Sequence, residues 1–194
     1  GIAGVVARLR EEFESVSFQG SLARAGAGVF LPALVRQCAE KGLAGAEPLV
    51  GVPGTVGGAL VMNAGTRDLE IGRITHSVEI LGSGGALEIV PAEQIHFNYR
   101  SSSLSGKIIC FATLRLRAGN KEVIMQAIQI FLSDRLQTQP IGTLNVGSIF
   151  KNPEGAFAAQ LIEKAGLKGF KKGNVQISPK HANFFMNTGN ATAH

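Results

Sequence analysis

Three polar residues that could take part in chemistry lie within five positions, near the end of a short apolar segment. They are Ser148, Lys151 and Asn152. Ile149 and Phe150 favour a strand, and the Asn-Pro pair that follows is typical of a turn. A hydroxyl, an ammonium and a carboxamide at a strand end can all point into one cleft, where they could donate a proton or bind an anion. An ordinary strand end with a polar turn also explains these residues, because short motifs recur by chance.

Two further segments could help to form such a site. Gly51–Gly58 holds four glycines and one proline in eight positions, so its backbone could approach a phosphate or a flat ring closely. It matches neither the Walker pattern nor the Gly-x-Gly-x-x-Gly fingerprint, and a plain turn is as consistent with it. Tyr99-Arg100 precedes a run of serines, and a guanidinium there could bind a carboxylate with two parallel hydrogen bonds. A surface salt bridge is the alternative for Arg100.

Composition narrows the classes of partner. The 194 residues are 45% hydrophobic and 17% charged, which is typical of a soluble chain with one large or two small domains. The net charge of +5 suggests anionic partners, but there is no tryptophan and one tyrosine to stack on bases. A small phosphorylated ligand therefore fits better than a nucleic acid. No apolar run reaches the length of a membrane span, and we expect a cytoplasmic protein.

Cys38 and Cys110 each lie in an apolar run, which predicts buried free thiols in a reducing compartment. Their spacing offers no metal site, although a disulfide stays open at this point.

Hydrophobic periodicity and turn residues predict the elements that must position these groups. We expect helices over 31–41, 120–136 and 156–165, and a hairpin over 74–81 and 86–90. Further strands are expected over 22–29, 108–116, 174–178 and 183–187, and residues 1–9 are rich in β-formers. Phe157, Leu161 and Ile162 should form the buried face of the third helix.

Six segments, in order and spacing, carry a resemblance to a known family. They are Gly51–Gly58, Asn63-Ala64-Gly65, Tyr99–Ser103, Gly147–Pro153, Leu161–Gly169 and Ser178–Asn183. Together they closely resemble UDP-N-acetylenolpyruvoylglucosamine reductases, also called UDP-N-acetylmuramate dehydrogenases. The resemblance runs over the whole chain. It implies a fragment that lacks the N-terminal part of the FAD domain and the C-terminal end.

The resemblance also implies the fold and the reaction. The fold is α+β, with an incomplete FAD-binding domain of the vanillyl-alcohol-oxidase type (second subdomain) over 1–118 and an incomplete substrate domain over 119–194. The reaction is the FAD-dependent, NADPH-driven reduction of UDP-N-acetylglucosamine enolpyruvate in cytoplasmic peptidoglycan precursor synthesis. Through cell-wall biogenesis it serves cell shape, the cell cycle and cell division. A monomer is expected, with no nucleic acid, membrane or metal among its partners.

Site residues follow by matching motif positions. Arg100 would stabilise the enolate and Ser148 would donate the proton. The flavin would contact Gly51, Val52, Pro53, Gly54, Thr55, Gly57, Gly58, Asn63, Ala64 and Gly65, and the substrate Tyr99, Gln139, Lys151, Asn152, Lys168 and His181. The family's catalytic glutamate has no counterpart in this chain.

Two alternatives remain open on the sequence. The chain could be an inactive, truncated module that binds UDP-sugars or flavin without turnover. It could also be an unrelated α+β oxidoreductase on the same flavin scaffold, although the matches at the substrate side weaken this interpretation.

Overall fold

A five-stranded antiparallel sheet forms the centre of the first part of the chain; its strands lie in the spatial order Val16–Gln19, Leu22–Gly26, Ile109–Arg115, Thr75–Leu81 and Leu87–Pro91. The structure is a computed structural model that describes residue 4 and residues 6–192. It forms two compact units, Gly1–Phe131 and Leu132–His194, which we call the first unit and the second unit. The predicted assignment of a flavin domain to 1–118 and a substrate domain to 119–194 stays a prediction.

The strands of the first unit are β1 Val16–Gln19, β2 Leu22–Gly26, β3 Leu43–Ala44, β4 Thr75–Leu81, β5 Leu87–Pro91, β6 Phe97–Asn98, β7 Ser101–Ser102, β8 Ile109–Arg115 and β9 Arg117–Ala118. Its helices are α1 Leu31–Glu40 and α2 Val56–Val61, and α3 Lys121–Thr138 continues into the second unit. Short 3₁₀ turns occupy Glu11–Glu14, Glu47–Leu49, Ile71–Arg73 and Ala92–Gln94.

Small residues let helix α2 lie close to this sheet. Ala23 and Ala25 of β2 and Ala112 of β8 are fully buried where the two strands pair. Helix α2 packs on β2 and β8, and a Cβ atom at Gly57 would lie 3.0 Å from the Cβ of Ala27. Close packing here therefore depends on alanine and glycine.

The second unit is built on a four-stranded antiparallel sheet in the order β10-β13-β12-β11. Its strands are β10 Asn145–Ser148, β11 Lys171–Lys172, β12 Val175–Ile177 and β13 Phe184–Asn187, and helix α4 is Ala158–Lys164. Ile177, Phe184 and Met186 are buried in this sheet.

Most predicted elements are confirmed, and mixed helix and antiparallel sheet confirm the α+β class. The helix over 31–41 begins with Pro32 in its first turn and is followed by Gly42 at a φ of +67°. Asn120 caps α3 by accepting a hydrogen bond from the N–H of Val123 at 3.0 Å. The hairpin forms as β4 and β5.

Three expectations are wrong. Residues 6–10 form no strand, and residues 1–3 and 5 lie outside the described part of the chain. The glycine segment is not a loop throughout, because helix α2 begins at Val56 with Thr55 as its N-cap. Phe157 and Leu161 are 60% and 47% exposed, because the helical spacing of apolar residues predicts a face but does not supply a partner for it.

The two thiols are buried and free, as predicted. Burial, and then the Glu47 carboxylate, raise the pKa of Cys38 to about 12, so this thiol stays protonated and unreactive. In the part of the chain that the structure describes, every helix is too short or too polar to cross a membrane.

Candidate functional site

The first unit presents a backbone surface that is almost bare of side chains. Gly54 and Gly58 are exposed, four positions apart where the turn enters helix α2, and Thr55 between them is exposed too. The Thr55 hydroxyl accepts a hydrogen bond from the N–H of Gly58 at 3.4 Å, which starts the helix. We call Gly54, Thr55 and Gly58 the glycine face.

Each glycine of this segment is suited to its position for a different structural reason. Gly54 has a φ of +113°, a conformation that L residues rarely adopt. Gly57 is inward, against Ala27. A Cβ atom at Gly58 would meet only the Thr55 hydroxyl, at 3.6 Å, and would otherwise project from the glycine face. The face therefore fits a flat ring such as a flavin, which could lie against the backbone of Gly54 and Gly58 with Thr55 as the side chain beside it.

Behind this face lies Asn63, a buried asparagine that is 1% exposed and has a φ of +41°. Its carboxamide nitrogen donates hydrogen bonds to the Glu70 carboxylate at 3.0 Å and to the Asn98 carbonyl at 3.1 Å. Its carboxamide oxygen accepts one from the N–H of Gly72 at 3.1 Å. Because these bonds engage the side chain, a contact between Asn63 and a ligand would have to use its backbone.

The guanidinium of Arg100 contacts the backbone of the Asn63–Gly65 segment. Its guanidinium donates to the Gly65 carbonyl at 3.1 Å and, weakly, to the Asn63 carbonyl at 3.5 Å, and it lies 4.9 Å from the centroid of the Tyr99 ring. Arg100 has a φ of +55°, which costs free energy in a residue with a Cβ. The surrounding contacts hold this strained backbone and aim the guanidinium at the Asn63–Gly65 segment.

In the second unit Ser148 ends strand β10 on its exposed side. The register slips between Asn145 and Ser148, and Gly147 at a φ of +85° takes up the irregularity. No group within the described residues forms a hydrogen bond with the Ser148 hydroxyl, and Lys151 just beyond it is exposed. The bulge therefore presents a serine hydroxyl outward, three positions before an exposed lysine.

Asn152 serves the local structure of this turn. Its carboxamide oxygen accepts a hydrogen bond from the N–H of Ala158 at 3.0 Å, at the start of helix α4. The side chain thus ties the turn after β10 to α4. A substrate contact by Asn152 remains a prediction.

Lys168, Glu163 and His181 form a charged cluster in the same unit. Lys168 makes an ion pair with the Glu163 carboxylate. Burial, together with the nearby Lys168 cation, lowers the pKa of His181, and Glu163 opposes this shift. The imidazole ring is half-buried, edge-on to Phe184 at 4.8 Å. This cluster offers an ammonium and a neutral imidazole to an anionic ligand.

Gln139 is the remaining predicted substrate residue. Its carboxamide oxygen is buried and finds no hydrogen-bond partner within residue 4 and residues 6–192. A buried acceptor without a donor costs free energy, so this atom is suited to a ligand that supplies one.

The second unit also contains a cavity of about 650 Å³ that is separate from the predicted site residues. Its lining includes Leu167, Phe170, Val175 and Phe185, and none of the predicted site residues. We place the candidate site at the polar residues rather than in this largely apolar cavity, because those residues carry the groups that the chemistry needs.

The sequence missed two residues that organise these sites. Glu70 holds the carboxamide of Asn63, and Asn183 holds the chain beyond Ser148. Asn183 stands in one of the motif segments, but a carboxamide that bonds to distant backbone leaves no local pattern.

Comparisons with known proteins agree with this organisation. Residues 2–89 match the family described as FAD binding domain. The first part of the chain is therefore of the FAD-binding class.

Residues 139–194 match the C-terminal domain of UDP-N-acetylenolpyruvoylglucosamine reductase. The chain is 40% identical to a curated enzyme of that name, number 2 of Symbiobacterium thermophilum, and 41% identical to one of Anoxybacillus flavithermus. Both alignments cover the whole of this chain, but only 63% and 65% of the relatives, so the chain spans less than two thirds of their length.

A crystal structure of UDP-N-acetylenolpyruvylglucosamine reductase from Thermus caldophilus superposes with a TM-score of 0.85 at 38% identity. The superposition covers 95% of this chain and 67% of the Thermus caldophilus chain. The chain belongs to the UDP-N-acetylenolpyruvoylglucosamine reductase family.

Proposed function

We propose that this chain supplies flavin-contacting and substrate-contacting parts of a UDP-N-acetylenolpyruvoylglucosamine reductase. FAD is the proposed cofactor, NADPH the proposed reductant, and UDP-N-acetylglucosamine enolpyruvate the proposed substrate. The observation that carries the proposal is the placement of Arg100, whose guanidinium is bonded to the segment that follows the glycine face. A cation for a carboxylate thus lies next to a surface suited to a flat ring.

The bound flavin would supply a hydride to one carbon of the enolpyruvyl double bond. As that C–H bond forms, the electron pair of the double bond moves toward the carboxylate and leaves an enolate. Arg100 would stabilise this charge. Two of its guanidinium hydrogen bonds go to carbonyls, so other N–H groups of its five are left for a carboxylate.

Ser148 would complete the reduction by giving its hydroxyl proton to the neighbouring carbon. Atoms and electrons then balance, because a hydride and a proton have been added across the double bond. The serine alkoxide left behind needs a cation and later a proton from solvent. Lys151, exposed three positions beyond Ser148, is the cation that we propose for the alkoxide.

The remaining predicted residues would bind the substrate. Lys168 would contact the diphosphate, and ligand phosphates would compete with Glu163 for its ammonium. His181 would donate a hydrogen bond as a neutral imidazole. Tyr99, Gln139 and Asn152 would line the sugar and enolpyruvyl portion.

The test separates the two half-reactions in the purified chain after titration with FAD. Flavin reduction by NADPH and flavin reoxidation by substrate are each followed by absorbance. In Ser148→Ala we expect unchanged reduction and at least a thousandfold slower reoxidation, because the proton donor is gone. Equal loss of both half-reactions would remove Ser148 from the proposed role.

Arg100→Lys is the second variant in this test. It keeps the charge but cannot form the fork, so we expect reoxidation slowed by about a hundredfold. Arg73→Lys, an exposed arginine of the same unit, is the control. Binding of FAD and UDP by the wild type without any reoxidation by substrate would instead favour the inactive binding module.

A further inference from the structure

Asn183 is a buried asparagine, 3% exposed, that directly precedes strand β13. Its carboxamide oxygen accepts a hydrogen bond from the N–H of Phe150 at 3.0 Å, and its carboxamide nitrogen donates one to the Phe150 carbonyl at 2.8 Å. Its own carbonyl accepts from the N–H of Ile149 at 2.9 Å. Three hydrogen bonds thus join Asn183 to the two residues that follow Ser148.

The side chain of Asn183 takes the place of a strand neighbour. In an antiparallel pair, two residues exchange both backbone hydrogen bonds, and the carboxamide offers the same donor and acceptor to Phe150. Strand β10 ends at Ser148. The hydrogen bonds to Asn183 therefore continue the strand-like pairing of the backbone past the end of β10. The direction in which the chain leaves Ser148 toward Lys151 is therefore set by Asn183.

The backbone of Asn183 acts on a second candidate residue. Its N–H donates to Nδ1 of His181 at 3.3 Å. A neutral imidazole that accepts at Nδ1 carries its proton on Nε2, so the ring offers an N–H donor on its other side. The ring is held further by Phe184 at 4.8 Å, and the N–H of His181 donates to the hydroxyl of the fully buried Ser178 at 3.3 Å.

We propose that Asn183 is a positioning residue of the second unit's site: its carboxamide directs the chain that follows Ser148, and its backbone N–H holds His181 as an Nε2–H donor. The inference deepens the proposed function and rests on it for the roles of Ser148 and His181. The donor at Nε2 would serve an oxygen acceptor of the ligand, such as a phosphate. Asn183 itself touches no reacting atom in this scheme.

The first test is nuclear magnetic resonance of the whole 194-residue chain, with Asn183→Ala compared with Asn187→Ala. Asn187 is the matched control, because it ends β13, the strand that begins directly after Asn183, and its side chain accepts hydrogen bonds from the N–H groups of Gly189 and Ala191. In Asn183→Ala we expect the amide proton of Phe150 to exchange at least about tenfold faster, since its acceptor is lost. Alanine keeps the backbone N–H that donates to Nδ1, so in both variants the His181 ring should carry its proton on Nε2, as in the wild type. Asn187→Ala should leave the exchange rate of the Phe150 amide unchanged.

Asn183→Asp covers the case in which the alanine variant does not fold. A carboxylate keeps the acceptor for the Phe150 N–H but loses the donor to its carbonyl, so exchange should fall between wild type and alanine. Unchanged Phe150 exchange in whichever variant folds, or a wild-type His181 ring that carries its proton on Nδ1, would overturn the proposal.

The second test asks whether this placement matters for the reaction. Reoxidation of reduced flavin by substrate should slow by about tenfold or more in Asn183→Ala, with reduction by NADPH unchanged. Altered resonance signals with wild-type reoxidation and wild-type UDP affinity would overturn the positioning role and leave Asn183 a purely structural residue. If the wild-type chain reoxidises no flavin, the proposed function fails, and the resonance experiment still decides whether Asn183 sets the chain direction and the tautomer.

Discussion

The two units build their candidate sites from different parts of the polypeptide. In the first unit the glycine face offers backbone, and the guanidinium of Arg100 is itself bonded to carbonyls. In the second unit the site consists of exposed or half-buried polar side chains, Ser148, Lys151 and His181 among them. Substitutions in the first unit should therefore act through shape and stability, and those in the second through charge and protonation.

Each unit nevertheless depends on one buried asparagine. Asn63 joins Glu70, Gly72 and Asn98, whereas Asn183 pairs with the backbone of Ile149 and Phe150. A carboxamide suits both places because it donates and accepts at once without carrying a charge. The two differ in backbone, since Asn63 alone has a positive φ, at +41°.

The largest effect that we expect in this comparison is that of Asn63→Ala. Removing the carboxamide leaves the part-buried N–H of Gly72, the carbonyl of Asn98 and the carboxylate of Glu70 without this partner, and alanine tolerates positive φ less well than asparagine. We expect the free energy of unfolding of the first unit to fall by about 3 kcal/mol or more. Urea titration followed by circular dichroism measures it.

The control for Asn63→Ala is Asn98→Ala. The side chain of Asn98 is exposed, and only its carbonyl contacts Asn63, so this variant should lose less than about 0.5 kcal/mol. Similar losses in the two variants would contradict the central position that we give to Asn63.

A smaller effect separates stability from binding on the glycine face. In Gly58→Ala the new methyl group meets only the Thr55 hydroxyl, and alanine favours a helix over glycine by roughly 0.5–1 kcal/mol. Thermal unfolding should therefore occur at the same temperature or higher. The methyl group would lie between the backbone and a flat ring, so FAD affinity should fall on the order of tenfold.

Gly57→Ala is the matched contrast for this prediction. Its Cβ would lie 3.0 Å from that of Ala27, so this variant should lose stability. FAD binding is read from the change in the visible spectrum of the flavin. Unchanged FAD affinity in Gly58→Ala would show that the glycine face does not contact the ring.

The sequence predicted the elements with strong local signals and missed those that depend on distant partners. Pro32, Gly42 and Asn120 marked helix ends correctly, because capping and turn chemistry act within a few residues. The two-residue strands β3 and β9 escaped notice, since they exist only by pairing with each other. Phe157 and Leu161 had the right spacing for a buried face but lie exposed.

The candidate site was predictable to a similar degree. Motif segments indicated Arg100, Ser148 and His181 by residue type and order. The hydrogen bonds from Arg100 to the Gly65 carbonyl and from Asn183 to Phe150 span 35 and 33 positions. Contacts over such separations depend on the folded topology, and a single sequence does not encode them locally.

The smallest effect in the comparison is a pH dependence that belongs to the second unit. Burial lowers the pKa of His181 below its usual 6.5, so the unfolded chain binds more protons than the folded chain as the pH falls below this value. This histidine therefore reduces stability in acid and not at neutral pH. In His181→Asn we expect a weaker loss of stability between about pH 7 and pH 5.5 than in the wild type.

The measurement is the urea midpoint of the second unit at both pH values. His96→Asn, an exposed histidine of the first unit, is the control and should keep the wild-type pH dependence of that midpoint. Glu163→Gln sharpens the test, because Glu163 opposes the shift and its removal should lower the pKa of His181 further. In this variant the loss of stability with falling pH should begin near the same pH as in the wild type but continue to a lower pH. An identical pH dependence in wild type and His181→Asn would mean that the imidazole is not held neutral by its surroundings, and the second unit's site would not depend on protonation there.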